Sequence, residues 1–310
     1  MSDPRPIGVF DSGVGGLTVL HEIVRRTPAE STIYLGDNAR APYGVRPDDE
    51  VRRFSAECLD LLATRDVKAI VVACNTSTAV ALPDLRRRYD LPILGVIRPG
   101  ASAAALATRT RRVGVIATPA TVRSRAYFHA IKEENPAVEV YEHATPAFVP
   151  MVEAGQLSGP VVEESVRASL APLLGERDEA GEFIFPLPPA ARIDTLLLGC
   201  THYPLLRPVI ADVAGERVAI VDSATATASA LAELLTINGL EAPGTTRGTA
   251  ADAGARGHEP PTEMAAPATH VQLTTGDTDL FGTLATRLFG DGFADVESVE
   301  LLSAPKAAAR

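Results

Sequence analysis

Short apolar runs alternate with longer amphipathic stretches along most of this chain. Runs rich in Val, Ile and Leu predict buried strands at 7–10, 32–35, 68–73, 92–96, 112–116, 138–141, 195–198 and 218–221. Between them, apolar residues recur at helical spacing; Leu17, Leu20 and Ile23, for example, fall on one helical face. This alternation predicts an α/β protein in which helices cover both faces of parallel sheets.

About eight strand–helix units in 310 residues are enough for two doubly wound parallel-sheet domains. We predict a first domain from residues 1–98 plus 224–310 and a second from residues 99–223. Small polar residues follow strands in both halves, which predicts that the domains are related by pseudo-symmetry. Because open α/β sheets bind ligands at the carboxyl ends of their strands, we expect the active site in the cleft between the domains.

Two cysteines occupy similar settings in the two halves of the chain. Cys74 closes the apolar run 70–73, and Cys200 closes the run 196–199. Each is predicted at the carboxyl end of a strand, just before a helix, where a thiol has a lowered pKa and acts as a base. Inert core thiols are the alternative, and we prefer that interpretation for Cys58. Two thiols on opposite walls of one cleft can pass a proton across a substrate carbon.

A glycine-rich turn follows the first predicted strand. It fits the dinucleotide fingerprint poorly, because Thr18 stands where the third glycine is needed. We expect instead that Asp11 and Ser12 project at the strand end and that the glycines let the backbone approach a small ligand. After the second strand, the backbone N–H groups of Tyr43 and Gly44 form a candidate turn for a carboxylate.

Further polar residues extend this set in the second half of the chain. Thr118, Thr121 and Ser124 follow a predicted strand; capping explains one hydroxyl, and together they suit a carboxylate. Glu153 is by default a solvated helix residue. If it is buried beside His202, it orients that imidazole and raises its pKa.

Composition excludes several classes of function. A net charge of −10 argues against general nucleic-acid binding and against a polybasic membrane anchor. No apolar run approaches the roughly 20 residues of a membrane span, and the polar N-terminus lacks a signal-peptide core, so we expect a cytoplasmic protein. Three cysteines without a CxxC motif favour neither a disulfide framework nor a metal site. Segments 176–191 and 240–269 are predicted insertions, the second a disordered loop, and 305–310 a frayed tail.

Taken together, the motifs resemble the glutamate racemases of the cofactor-independent aspartate/glutamate racemase superfamily over nearly the whole chain. The resemblance implies interconversion of L- and D-glutamate without a cofactor or metal, supply of D-glutamate for peptidoglycan, and a homodimer. It rests on the segments Gly8 to Thr18, Tyr34 to Gly44, Ala73 to Thr76, Gly95 to Ile97 with Pro99 and Gly100, Leu198 to Leu205 and Thr274 to Asp277.

The same resemblance implies roles for individual residues. Cys74 works on the D-enantiomer with support from Asp11, and Cys200 works on the L-enantiomer with support from His202 and Glu153. Aspartate or hydantoin racemisation, a two-cysteine thiol oxidoreductase and a non-catalytic amino-acid-binding module remain alternatives. The positions that match substrate-binding residues are Asp11, Ser12, Tyr43, Gly44, Asn75, Thr76, Thr118, Thr121, Thr201 and His202.

Overall fold

The computed structural model of the protein describes residues 2–174, 192–244, 267–290 and 295–301. Within these ranges, all paired strands run parallel and form two separate sheets. The strands are β1 (Ile7–Asp11), β2 (Thr32–Gly36), β3 (Ala69–Val72), β4 (Ile93–Gly95), β5 (Arg112–Ala117), β6 (Glu139–Ala144), β7 (Thr195–Gly199), β8 (Ala219–Asp222), β9 (His270–Thr274) and β10 (Val296–Ser298).

Helices connect the strands and cover both faces of each sheet. They are α1 (Leu17–Arg26), α2 (Asp48–Ala63), α3 (Asn75–Arg88), α4 (Ile97–Ala107), α5 (Pro119–Ser124), α6 (Ala126–Glu134), α7 (Phe148–Glu153), α8 (Pro160–Leu174), α9 (Arg207–Ala214), α10 (Ala224–Asn238) and α11 (Thr278–Phe289). Short 3-10 helices lie at Asn38–Arg40, Tyr43–Val45 and Tyr203–Leu206. In the described part of the chain, none of the helices has both the length and the apolar character needed to cross a lipid bilayer.

Helix α2 shows how the sequence directs an element. It begins after Pro47 with three acidic residues in its first turn, which complement the positive end of the helix dipole. Val51, Phe54 and Cys58 recur at helical spacing, and all three are buried against the first sheet.

The two sheets share one strand order. The first sheet has the order β10-β9-β2-β1-β3-β4, and the second has β6-β5-β7-β8. The order β2-β1-β3-β4 is therefore repeated in the second sheet, and β7 occupies the place of β3. The prediction of two doubly wound parallel sheets is confirmed, and the repeated order is the pseudo-symmetry that their strand ends indicated.

The apolar cores follow the same division. Ala224 and Leu231 of α10 pack with β1 and α1 of the first sheet, whereas Ile97 and Ala101 of α4 pack with β5 and β7 of the second. The chain thus leaves the first core near residue 96 and returns at residue 224. This packing supports the predicted domains, 1–98 plus 224–310 and 99–223, which we keep as a proposal.

Two strands of the first sheet are absent from the predicted set. β9 alternates in character along His270–Thr274 and pairs with β2, and the short β10 pairs with β9 at the sheet edge. Of the predicted loop 240–269, only residues 240–244 and 267–269 are described, and they contain neither helix nor strand. The predicted insertion 176–191 and the tail 305–310 lie outside the described residues.

Candidate active site

A narrow cavity lies where the carboxyl ends of the strands in the two sheets face each other. It holds about 320 Å³ of atom-free space, including its mouth. Of the predicted site residues, Asp11, Thr121 and Ser124 do not line it; Asp11 and Thr121 are buried outside the lining set. The lining residues are Ser12, Pro42, Tyr43, Gly44, Cys74, Asn75, Thr76, Thr118, Val149, Glu153, Cys200, Thr201 and His202.

Cys74 caps the N-terminus of α3 from the first sheet. Its Sγ accepts a hydrogen bond from the backbone N–H of Ser77 at 3.4 Å and lies 3.5 Å from the Ser12 hydroxyl. Burial and the nearby charge of Asp11 nevertheless raise the pKa of Cys74 to about 11, against the lowering effect of these hydrogen bonds. The expected lowering of this thiol's pKa is therefore wrong for Cys74, because removal from water outweighs the helix terminus. At neutral pH, Cys74 therefore keeps its proton.

Cys200 follows β7 and faces a different partner. Its Sγ lies 3.9 Å from Nδ1 of His202, and Nε2 of that ring lies 3.4 Å from Oε1 of Glu153, close enough for an ion pair but not aligned as a hydrogen bond. Burial by itself lowers the pKa of His202, but contact with Cys200 and Glu153 and the charge of Asp11 raise it to about 10. His202 is therefore a cation at neutral pH, and it lies against the Cys200 thiol.

Asp11 lies at the seam between the two halves of the site. It is fully buried, and its carboxylate accepts hydrogen bonds from the Gly13 N–H at 3.0 Å and from the Thr201 hydroxyl at 3.3 Å. Burial raises the pKa of Asp11, while the charge of His202 and these hydrogen bonds lower it. Asp11 thus connects the turn after β1 to the loop that carries Cys200.

The glycines of the site make room for protein, not only for ligand. A Cβ on Gly15 would lie 2.4 Å from Nδ1 of His202, and one on Gly44 would lie 2.6 Å from Cβ of Thr118. Both neighbours belong to the opposite half of the molecule. We expected the glycine-rich turn to approach a small ligand; at Gly15 it instead approaches the loop of the second cysteine.

Successive hydrogen-bonded hydroxyl groups connect the two sides of the cleft. The Thr76 and Thr118 hydroxyl oxygens are 3.0 Å apart, and those of Thr118 and Thr121 are 3.1 Å apart. The Ser124 hydroxyl bonds to the Thr121 carbonyl and does not line the cavity. The Tyr43 phenol donates to Asp37, so Tyr43 is oriented by a residue outside the cavity lining.

Sequence reasoning missed three residues at this site. Pro42 and Val149 line the cavity, and the hydroxyl of Tyr127 donates to Oδ1 of Asn75 at 2.6 Å. Pro42 and Val149 stood beside predicted residues in the sequence. Tyr127 lies within a predicted helical stretch and carried no local signal, because its partner is 52 positions away.

The cavity lining suits an anionic ligand. Among the described residues no Lys or Arg lines it, so carboxylates would be held by hydroxyls, the Asn75 amide, backbone N–H groups and the His202 cation. Among the residues that the structure describes, no three His, Cys, Asp or Glu side chains converge to hold a metal ion. All three cysteines are free thiols.

Comparison with known proteins agrees with this geometry. The family model described as Asp/Glu/Hydantoin racemase matches residues 7–231. A glutamate racemase of Geobacter metallireducens is 50% identical over 231 residues, 74% of this chain and 80% of its own. The crystal structure of glutamate racemase isoform RacE1 from Bacillus anthracis matches with a TM-score of 0.82 and 37% identity, over 96% of this chain and 98% of that one.

A further solved structure has a bound ligand. The glutamate racemase of Francisella tularensis, in complex with D-glutamate, matches with a TM-score of 0.79 and 32% identity, over 97% of this chain and 100% of that one. The family model covers most of the chain, and the relatives share both its sequence and its two-sheet fold. The chain therefore belongs to the Asp/Glu/Hydantoin racemase family of isomerases.

Proposed function

We propose that this protein is a glutamate racemase that interconverts L- and D-glutamate through two thiols. One observation carries the proposal: Cys74 and Cys200 follow equivalent strands of two sheets of the same order, and both line one cavity. The glutamate racemases that it resembles, one of them bound to D-glutamate, support glutamate as the substrate.

The chemistry follows from the different surroundings of the two thiols. In the L-to-D direction, the Cys200 thiolate takes the proton from Cα, and the electron pair left on carbon spreads into the α-carboxylate. The Cys74 thiol then gives its proton to the opposite face of the same carbon. Cys200 is left as a thiol and Cys74 as a thiolate, so the reverse reaction begins from that state.

The substrate's charges need partners in a cavity without Lys or Arg. Hydrogen bonds from Ser12, Thr76 and Thr118 and from backbone N–H groups suit the two carboxylates. Bonds to the α-carboxylate strengthen as the carbanion forms, because negative charge then accumulates on its oxygens. Exclusion of water from the narrow cavity increases this effect.

The cellular setting belongs to the same proposal. D-Glutamate for peptidoglycan is needed in the cytoplasm, and the absence of a membrane-spanning helix in the described residues is compatible with that place. We also propose a homodimer, by resemblance to the family. Light scattering of the purified protein tests this assembly: a mass near twice 32.6 kDa supports the dimer, and a monomer contradicts it.

Isotope exchange tests the function. Each enantiomer of glutamate is incubated with the protein in D2O without added cofactor, while Cα deuteration is followed by NMR and inversion by optical rotation. Both enantiomers are expected to exchange and to reach a racemic mixture. No exchange with either enantiomer contradicts the proposal.

Parallel incubations with aspartate and with a hydantoin distinguish the remaining members of the family. Exchange only with aspartate, or only with the hydantoin, would move the assignment to that substrate. Loss of free thiols without exchange would instead support a thiol oxidoreductase.

A further inference from the structure

The amide of Asn75 is held from the opposite half of the molecule. Asn75 is the first residue of α3, directly after Cys74, and lines the cavity. Its Oδ1 accepts a hydrogen bond of 2.6 Å from the hydroxyl of Tyr127, which lies on α6 and packs into the core of the second sheet. Both residues are almost completely buried.

The other end of this amide lacks a protein partner. Nδ2 of Asn75 is buried and makes no hydrogen bond within the described residues. A buried N–H group without a partner is unfavourable, so such a group calls for a ligand atom. Because the amide is planar, the bond from Tyr127 to Oδ1 turns Nδ2 to the opposite side. A carboxylate oxygen in the cavity is the natural acceptor.

The phenol of Tyr127 is suited to act as the donor in this bond. Burial raises the pKa of Tyr127, against a smaller lowering effect of Ser223, so the phenol stays protonated and is able to donate to Asn75. The single phenol proton goes to Oδ1 of Asn75.

The Tyr127 hydroxyl lies close to a connection between the two halves of the molecule. Ser223 lies between β8 and α10, where the chain returns from the second sheet to the first. A Cβ on Gly100 of α4 would be 2.9 Å from Cβ of Ser223 and 3.4 Å from the Tyr127 hydroxyl, so this region is closely packed.

We propose that Tyr127 is a positioning residue for substrate binding: its hydroxyl fixes the Asn75 amide so that Nδ2–H faces a carboxylate of the substrate. Since Tyr127 and Asn75 belong to opposite halves of the molecule, the amide is oriented only when these halves are together. The proposal rests on the proposed glutamate racemase function. Tyr127 acts through Asn75 and does not touch the substrate.

A double-mutant cycle tests this assignment. Tyr127→Phe removes the hydroxyl and is expected to raise KM for both enantiomers about tenfold, with kcat changed less than about threefold. Asn75→Ala is expected to raise KM at least as much. In the double variant, Tyr127→Phe is expected to add less than about twofold to the effect of Asn75→Ala, because the amide that it orients is gone.

Tyr89→Phe is the matched control. Its hydroxyl also donates to a side-chain oxygen, that of Asp60 at 2.7 Å, but Tyr89 does not line the cavity, so KM should be unchanged. Melting temperatures of all variants separate a loss of fold from a loss of binding. If Tyr127→Phe leaves KM unchanged, or if its effect on KM is equally large with and without Asn75, the assignment is overturned. A wild-type protein that does not racemise glutamate overturns the proposed function as well.

Discussion

Two cysteines in equivalent places have different electrostatic surroundings. Cys74 is buried near the Asp11 carboxylate, which disfavours a second negative charge, and the pKa of this thiol rises to about 11. Cys200 lies beside His202, whose pKa is raised to about 10, so that the imidazole is positively charged at neutral pH. The two thiols of the proposed site therefore differ in the charge beside them, a carboxylate near Cys74 and an imidazolium beside Cys200.

Substitution of either thiol tests the two-thiol scheme. Cys74→Ser and Cys200→Ser should each reduce racemisation by at least about 1,000-fold, because a hydroxyl ionises far less readily than a thiol. Optical rotation from each pure enantiomer measures the loss. Cys58→Ser is the control, since Cys58 is buried on α2 and does not line the cavity. Full activity in either active-site variant would refute the two-thiol scheme.

The second prediction concerns alkaline pH. Both the pKa of His202, about 10, and the pKa of Cys74, about 11, are raised, so both groups carry their protons at neutral pH and lose them as the pH rises. We expect kcat/KM to fall above about pH 10, because the donor thiol and the imidazolium disappear there.

The two enantiomers are equally stable in solution, so kcat/KM must have the same pH profile in both directions. Circular dichroism at each pH checks that the protein is still folded. An alkaline limb near the ordinary thiol pKa of about 8.5 would contradict this account of Cys74.

Among the secondary-structure elements, the strand ends position the reactive side chains. Glycines allow elements of the two halves to pack closely against each other. The cysteines follow β3 and β7, and the N-terminus of α3 brings Asn75 and Thr76 to the cavity wall. The 3-10 helix at Tyr43–Val45 then closes against Thr118, with no room for a side chain on Gly44. The width of the cavity therefore depends on a contact between backbone and side chain across the cleft.

Gly44→Ala tests that contact. The added Cβ would lie 2.6 Å from Cβ of Thr118, so the two halves have to separate. We expect kcat/KM to fall about tenfold or more, because misplacement by as little as 1 Å costs large factors in rate. Gly8 lies in β1, and a Cβ there would approach neighbouring side chains no closer than 3.4 Å, which is an ordinary contact distance. Gly8→Ala should therefore keep its activity. Equal activities of the two variants would contradict the role given to Gly44.

In the molecule as a whole, one buried ion pair joins segments that are distant in the sequence to the first sheet. Nζ of Lys68 lies 2.5 Å from Glu30 and donates to the Asp3 carbonyl at 2.8 Å, and Glu30 accepts from the N–H of Ala242 at 2.8 Å. The start of the chain and the segment after α10 are thus held to the first sheet. Neither Lys68 nor Glu30 is near the cavity lining.

Lys68→Met is expected to lower the free energy of unfolding by about 3 to 5 kcal/mol, because the Glu30 carboxylate stays buried without its cation. Chemical denaturation measures the change, and kcat/KM of the folded enzyme should remain within about twofold. Arg88→Met is the control: its ion pair with Asp60 is half exposed, and such pairs contribute at most about 1 kcal/mol. If the two variants lose similar free energies of unfolding, burial does not determine how much an ion pair contributes to stability.

Features that depend on local pattern were predictable from the sequence. Runs of about four to six residues rich in Val, Ile and Leu indicated eight of the ten described strands, and two of these runs lead to Cys74 and Cys200. They missed β9 and β10, because the first alternates in character and the second is a short edge strand; both are specified by pairing with a neighbouring strand.

The surroundings of each candidate residue depend on contacts that form only in the folded chain. The pKa of Cys74 rises because distant segments remove it from water and bring Asp11 close, against the local effect of its helix. Gly15 packs against His202, and the Tyr127 hydroxyl donates a hydrogen bond to Asn75. Both pairs are too far apart in the sequence to be detected from local pattern. Local pattern places thiols and hydroxyls at strand ends; burial and long-range contacts set their charges and orientations, because electrostatic energies depend on distance in space.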